Sequence, residues 1–428
     1  MLTQPEPGIS AFLGAAELGL VYHRERSRAL LMIWNTANYL FLVVAAIPFI
    51  YYLIALYSSW RYFRTSTTQD AANFSSLGPV SILKPIRGLD PDAYENFASF
   101  CRQDYPDYEI LFCVDSADDP AVPVIQKLSR DFPHHRIRVL FGSGREAAND
   151  KVAKLTRLAG EAQHELLVIS DSDVRVRPDY LRTVVAPLAD PKVGAVTCFY
   201  ASADDSTFVH RLQSIGMVSD FYAGILVARQ LDGVKFALGP TIATSRACLA
   251  TFGGYAAIEN RPADDLLVGR LIAEQGYEVK LLPYSILTVP DYHSIRDLFH
   301  KRLRWIVVMR HMRPWGHLGL IFTQGLAWSL AAVAVHASTL VASLYLGAYL
   351  ALRIAIVWVI GIRGLKQKSL WKRLPLIPIW DALAVFIWLI SFGRNTIRWR
   401  AQEYFIRGGT LVAATPTATR NELETLRT

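Results

Sequence analysis

Residues 31–56 carry no charged side chain, and a helix of that length covers the roughly 30 Å hydrocarbon core of a bilayer. No motif constrains the fold as strongly. Trp34, Tyr51, Tyr57 and Trp60 flank the run as interfacial aromatics do. Its length, and the lack of a small-residue cleavage site after it, separate it from a removable leader. It reads as an uncleaved anchor over 29–60, behind an N-terminal segment 1–28. A second apolar stretch, 316–362, is interrupted by Arg353 and two histidines, and has room for two spans with a turn near residues 336–338. A third, 374–392, holds Asp381, which predicts packing against another helix rather than exposure to lipid. Hydrophobic residues make up 52% of the chain. No comparable run lies between Trp60 and Trp315, so the middle reads as a soluble domain, 61–295.

The net charge of +8 follows these boundaries. Lys301, Arg302, Arg304, Arg310 and Arg313 precede the second stretch; Arg363, Lys366, Lys368, Lys372 and Arg373 follow it. Basic flanks on short loops mark the cytoplasmic side, so the soluble domain is expected to face the cytosol. Arg394, Arg398, Arg400 and Arg407 come after the third stretch. A full crossing there would place them outside, which leaves a re-entrant segment or a different span count as alternatives, ahead of a basic, partly mobile tail over 394–428. Cations along membrane edges suit anionic headgroups and argue against a nucleic-acid partner. The four cysteines have no CxxC spacing and fit buried thiols in a reducing compartment.

In the middle, PVSILKP, YEILFCVD, RIRVLFG, ELLVISDSD and VGAVTCFY read as strands, with helical spacing in segments such as DAYENFASFCRQ between them. That rhythm predicts an α/β fold with a mainly parallel sheet, whose ligands bind at the carboxyl ends of the strands. Asp90 follows the first strand, Asp115 and Asp118 the second, Asp171 and Asp173 the fourth, all at one rim. Neither GxGxxG nor GxxxxGK[ST] occurs. Paired carboxylates at a rim either hold a divalent cation through hard oxygens or form a solvated Asx turn. Asp264 and Asp265 stand directly before the apolar pattern of Leu267, Leu271 and Ile272, at a helix start, where capping alone explains acids. Residues 296–315 are basic, aromatic and amphipathic, as an interfacial helix is.

In order, these pieces resemble a processive-type inverting glycosyltransferase domain of the GT-A fold, and more narrowly the ceramide glucosyltransferase family with its bacterial, hopanoid-associated relatives. KPIRGLD resembles the family's K-P-x-x-G-x-D, YEILFCVDSADDPA its second strand and acidic turn, SDSDVRV its D-x-D-like stretch, ADDLLVGRLI its acidic pair, and KRLRW its (Q/R)-x-x-R-W. The resemblance implies that Asp90, Asp115 and Asp118 line a nucleotide pocket, and that Asp171 and Asp173 hold Mg2+ or Mn2+. It further implies that Asp265 is the general base, that Arg304 meets the departing diphosphate, and that Trp305 closes the pocket. Lys151, Asp264 and Lys301 complete the expected substrate contacts. Two positions depart from the pattern: Lys301 stands where Gln or Arg is usual, and Lys154 replaces the last asparagine of N-x-K-x-x-N-L. The implied partners are a UDP-sugar donor, UDP-glucose first, and a membrane lipid acceptor, ceramide before hopanoid or diacylglycerol. A transporter would carry its charges in the spans instead. A processive polysaccharide synthase would show more spans over 316–393 and a glutamine at position 301.

Overall fold

A computed structural model describes residues 32, 34–65, 78–399 and 402–413; the expected N-terminal segment 1–28, Arg400 and the expected mobile end beyond 413 lie outside these residues. The chain forms two compact units, one joining residues up to Tyr52 to Phe322–Leu352, the other joining Leu53–Ile321 to Arg353 and beyond.

In the second unit β1 (Val80–Pro85), α1 (Ala93–Cys101), β2 (Tyr108–Val114), α2 (Val122–Asp131), β3 (Arg136–Phe141), α3 (Asp150–Glu161) and β4 (Leu166–Ser170) alternate as expected. β1 and β2 are buried along their whole length, which is why they read as continuous apolar runs: both faces of a parallel sheet are covered. Ile82, Phe112 and Val168 pack with Phe97 and Phe100 on one face; Leu83, Leu111 and Ile169 pack with Leu155 and Leu267 on the other. β5 (Val174–Arg175), β6 (Val193–Ser202), β7 (Thr241–Ser245) and β8 (Glu278–Thr288) complete an eight-stranded sheet of order β3-β2-β1-β4-β7-β6-β8-β5. The sheet is mainly parallel, with β7 reversed between β4 and β6 and β5 reversed beside β8. β7 and β8 are missing from the sequence expectation. TIATS is short, and EVKLLPYSILT contains Pro283, which argues against a strand. The sheet accommodates that proline at a register shift opposite Cys198 and Phe199.

Four further elements frame the sheet's rim: α4 (Phe208–Gly216), α5 (Asp264–Glu274), α6 (Ile295–Met312) and α7 (Ile377–Ser391). A capping box fixes the start of α6, with the Ser294 hydroxyl accepting from the Asp297 N–H and the Asp297 carboxylate accepting from the Ser294 N–H. α7 lies against α6 and α4; a β-carbon on Gly216 would stand 2.1 Å from the Trp380 ring, so only glycine admits that approach. Asp381 is buried and accepts from Arg353 Nε at 2.9 Å, in line with the packed acid expected there. Arg373 is paired with Asp205. Past the other end of α7, Arg310 donates to the Phe392 carbonyl at 2.7 Å and the Arg394 carbonyl at 2.6 Å. β9 (Thr396–Trp399), β10 (Gln402–Arg407) and β11 (Thr410–Ala413) then form a three-stranded antiparallel sheet.

The first unit is helical. Tyr52 Oη donates to the Thr323 carbonyl at 2.9 Å and accepts from the Gly325 N–H at 3.0 Å, while Tyr345 Oη donates to the Leu42 carbonyl at 2.6 Å. Ala45, Ala332 and Val341 form its close-packed centre. The helix Gly325–Val335 gives way to Thr339–Val357 at the turn expected near 336–338. By length and composition Trp34–Thr65, Thr339–Gly364 and Lys368–Ser391 suit membrane spans, and Pro314–Thr323 with Gly325–Val335 forms a pair bent by 54°.

Candidate active site

The acidic turn leaves β4 at Ser170. Beneath it Lys84, fully buried on β1, donates to the Asp171 carbonyl at 2.9 Å and to Ser170 Oγ at 3.4 Å, with its ammonium 3.8 Å above the Phe100 ring. Burial pulls the Lys84 pKa down to about 7, against the pull of Asp171 and Asp173. The Ser172 hydroxyl donates to Asp90, which brings the end of the β1 loop to the same turn. Burial, then the charge of Asp171, pushes the Asp173 carboxyl up to about 7. Lys84 opens the KPIRGLD motif without an expected role, and a charged group in an otherwise apolar strand, VSILKP, was the signal for one.

Across the cleft, Asn149 caps α3 by accepting from the Val152 N–H at 3.3 Å, which presents Lys151 at the first turn. Lys151 Nζ lies 2.7 Å from Asp171 Oδ1 and 3.2 Å from Asp264 Oδ2. Burial disfavours this ammonium, but the charges of Asp171 and Asp264 outweigh it and hold its pKa well above the ordinary value. Ala263, before the acidic pair, has φ 54°, a left-handed backbone that costs a non-glycine residue on the order of 1 kcal/mol or more. That bend directs Asp264 to Lys151, while Asp265 Oδ2 accepts from the Gly239 N–H at 2.9 Å. Burial, then Asp264, pushes Asp265 up to about 6. A β-carbon on Gly239 would fall 3.1 Å from Asp265 Oδ2 and 3.7 Å from Asp171 Oδ2. The bare glycine thus keeps open a small space that both carboxylates face.

The structure gathers Asp90, Asp171, Asp173, Lys151, Asp264 and Asp265, and Asp115, Asp118, Lys301 and Trp305 have surroundings of their own. Asp115 is ion-paired with Lys154, which also lies 3.0 Å from Asp150 and donates to the Ile86 carbonyl at 2.8 Å; the departing lysine is a fully buried counter-charge. Asp118 is exposed. The buried acid of that turn is Asp119, which accepts from the N–H groups of Gly88 (3.2 Å) and Ala121 (2.9 Å). On α6, Lys301 lies 3.2 Å from Asp291 and 4.7 Å above the Tyr292 ring. Trp305 stands 5.6 Å from the Phe221 ring, and Arg302 is buried between the rings of Trp305 and Trp380, at 4.8 and 4.6 Å. Nothing in the family pattern singled out Arg302. Among the described residues no three His, Cys, Asp or Glu side chains converge as a ready-made metal cage. The hard oxygens of Asp171, which borders the space left by Gly239, and of Asp173 on the same turn fit a cation whose remaining ligands come from a diphosphate.

A mainly parallel sheet with this acidic rim defines a glycosyltransferase of the GT-A fold. A mannosyltransferase from Pyrobaculum calidifontis, solved in complex with GDP-Man and Mn2+, shares that fold at a TM-score of 0.51 and 21% identity, over 80% of this chain and 99% of that one. The chain belongs to glycosyl transferase family 21, whose profile matches residues 40–412. Among its relatives are ceramide glucosyltransferase 3 of Caenorhabditis elegans, 28% identical over 253 residues (56% of this chain, 52% of the relative), and the ceramide glucosyltransferase of Gibberella zeae, 32% identical over 152 residues (33% and 28%). The chain spans about half the length of the first curated relatives it matches.

Proposed function

We propose that the protein is a membrane-bound inverting hexosyltransferase that moves glucose from UDP-glucose to the hydroxyl of a membrane lipid, ceramide first among acceptors. The observation that carries this reading is Asp265: a carboxylate held by the backbone N–H groups of Gly239 and Leu266, pushed up to about 6, facing Asp171 across the side-chain-free Gly239. A base whose pKa lies near the working pH is what proton abstraction from an alcohol requires. As the acceptor oxygen bonds to the anomeric carbon, its proton passes to Asp265, and the bond from that carbon to the diphosphate oxygen breaks on the opposite face. Lys151 and Arg304 take the negative charge that develops on the diphosphate, and Asp264 keeps Lys151 aimed. Mg2+ or Mn2+ bound to Asp171 and Asp173 would neutralise the diphosphate and make it a better leaving group. Asp115 and its Lys154 partner lie toward the nucleoside, and Trp305 toward the acceptor.

The acceptor class follows from the apolar helices that the same chain carries, since a lipid hydroxyl lies at headgroup depth. The catalytic unit faces the cytoplasm in this reading. α7 is re-entrant or in-plane rather than a full crossing, because the Arg373–Asp205 pair before it and the bond from Arg310 of α6 to the Phe392 carbonyl after it tie both ends to that unit. A topology of this kind keeps the last basic cluster on the side of the other two. The test is to incubate membranes holding the full chain with labelled UDP-sugars and a lipid panel, and to identify the product by mass spectrometry. A glucosylated ceramide is expected. A hopanoid or diacylglycerol product, or UDP-N-acetylglucosamine or UDP-galactose as donor, would change the substrate assignment; a polymer would replace it with a synthase; no transfer from any donor would refute it.

A further inference from the structure

We propose that the C-terminal sheet β9–β11 is part of the active site, a clasp that holds α6, with Arg304 and Trp305, to the two loops presenting Lys151 and the Asp264–Asp265 pair. The inference rests on the assignment of those residues to the reaction. Three independent attachments carry it. Ile397, Tyr404, Ile406 and Leu411 of the sheet are buried against Leu303 and Val307 of α6, with Ala148 packed on the same cluster. The Leu411 N–H donates to the Asn260 carbonyl at 2.8 Å. The Asn260 side chain in turn accepts from the Ala148 N–H at 2.9 Å.

Asn260 is therefore the junction. The loop it belongs to is bound to the start of α3 twice more: the Asn149 N–H donates to the Glu259 carbonyl at 2.9 Å, and Asn149 Nδ2 donates to the Arg261 carbonyl at 3.1 Å. Asn149 is the fully buried cap that orients Lys151, and Arg261 lies three positions ahead of Asp264. So one small sheet reaches the donor-side lysine, the acidic pair and the acceptor-side helix through contacts of a single layer. Three short strands are marginal alone; this sheet exists because it packs on those segments, and the packing works in both directions. Loss of the clasp frees α6 to shift against the loops, and a misplacement of about 1 Å costs on the order of 10²-fold in rate.

The test uses the full chain. Leu411→Pro removes the N–H that the Asn260 carbonyl accepts, Tyr404→Ala takes a ring out of the cluster shared with α6, and Tyr404→Phe keeps the ring. Leu411→Pro is expected to lower kcat by roughly 10²-fold, with the acceptor KM and melting temperature little changed, and Tyr404→Phe to restore what Tyr404→Ala loses. Hydrogen–deuterium exchange is expected to rise in Leu411→Pro at 148–152, 259–265 and 303–307 together. Transfer by Leu411→Pro within about threefold of wild type would overturn the clasp, as would faster exchange confined to 396–413. If Leu411→Pro does not fold, both readings are taken on Tyr404→Ala. Wild-type protein that transfers no sugar would refute the proposed reaction, while the exchange pattern would still decide the clasp.

Discussion

Replacing Asp265 with asparagine separates catalysis from stability and gives the two opposite signs. The carboxylate is raised to about 6 by burial and by Asp264, against about 3.9 in an unfolded chain. The folded state therefore binds the proton more tightly than the unfolded one between these values. Stability from this group falls as pH rises from about 4 to about 6 and stays low above that. A shift of about two units corresponds to about 3 kcal/mol at neutral pH as an upper bound. Asparagine has no charge to desolvate, and its carbonyl oxygen can still accept from the Gly239 N–H that Asp265 holds at 2.9 Å. The Leu266 N–H, 2.8 Å from Asp265 Oδ1, would lose its acceptor, which takes back about 1 kcal/mol.

The expected result is a folded protein with a melting temperature a few degrees higher and turnover reduced by roughly 10²–10⁴-fold, the usual cost of a lost general base. Thermal melts and initial rates of glycolipid formation, at saturating donor and acceptor, measure both. In wild type the rate should fall on acidification through about 6, with about a tenth of Asp265 ionised one unit below that value. Near-normal turnover in folded Asp265→Asn would refute the base assignment. A lower melting temperature would refute the argument that this carboxylate is held at a cost.

Two substitutions probe the surroundings. Gly239→Ala places a methyl 3.1 Å from Asp265 and 3.7 Å from Asp171, and should lower kcat by on the order of tenfold or more with the fold intact; unchanged kinetics would mean that the space it fills is not used. Arg353→Met leaves buried Asp381 without the partner that donates at 2.9 Å and should destabilise by about 3–5 kcal/mol. Arg353→Met combined with Asp381→Leu should recover most of that loss in thermal melts, and failure to recover would show that the pair is not the source.

How much of this was legible in the sequence depends on whether a residue acts through its own strand or through a distant one. β1, β2, β4 and β6 were legible because buried strands are apolar runs, and the rim followed from where those runs stop; β3, the edge strand, is only partly buried and carries two arginines among its apolar residues. Asp90, Asp171 and Asp173 are near one another for that reason alone. The partnership of Lys151 with Asp171 and Asp264 was not legible. It needs the Asn149 cap and the left-handed Ala263, two local bends whose directions agree only after the sheet has formed. Asp119 and Asp118 differ by one position and have opposite surroundings, since a turn exposes one carboxylate and buries its neighbour against Gly88. No spacing rule distinguishes them.

The apolar ends present the reverse difficulty. Composition alone makes Lys368–Ser391 resemble a span, because a helix buried on one side by α4 and α6 and exposed on the other has the same residues as one surrounded by lipid. The charges after it disagree with a crossing, and the proposed re-entrant course accounts for them together with two contacts: Arg310 holds the Phe392 and Arg394 carbonyls, and Leu411 bonds to Asn260 within the same unit. A helix that enters the bilayer must leave on the far side only if nothing ties its exit. Here four residues separate Ser391 from Thr396, the first residue of β9, whose Ile397 is packed on α6. The five extended steps from Ser391 to Thr396 reach at most about 18 Å, less than the roughly 30 Å of hydrocarbon. On the topology proposed above, the end of α7 therefore stays on the same side of the membrane as the catalytic unit.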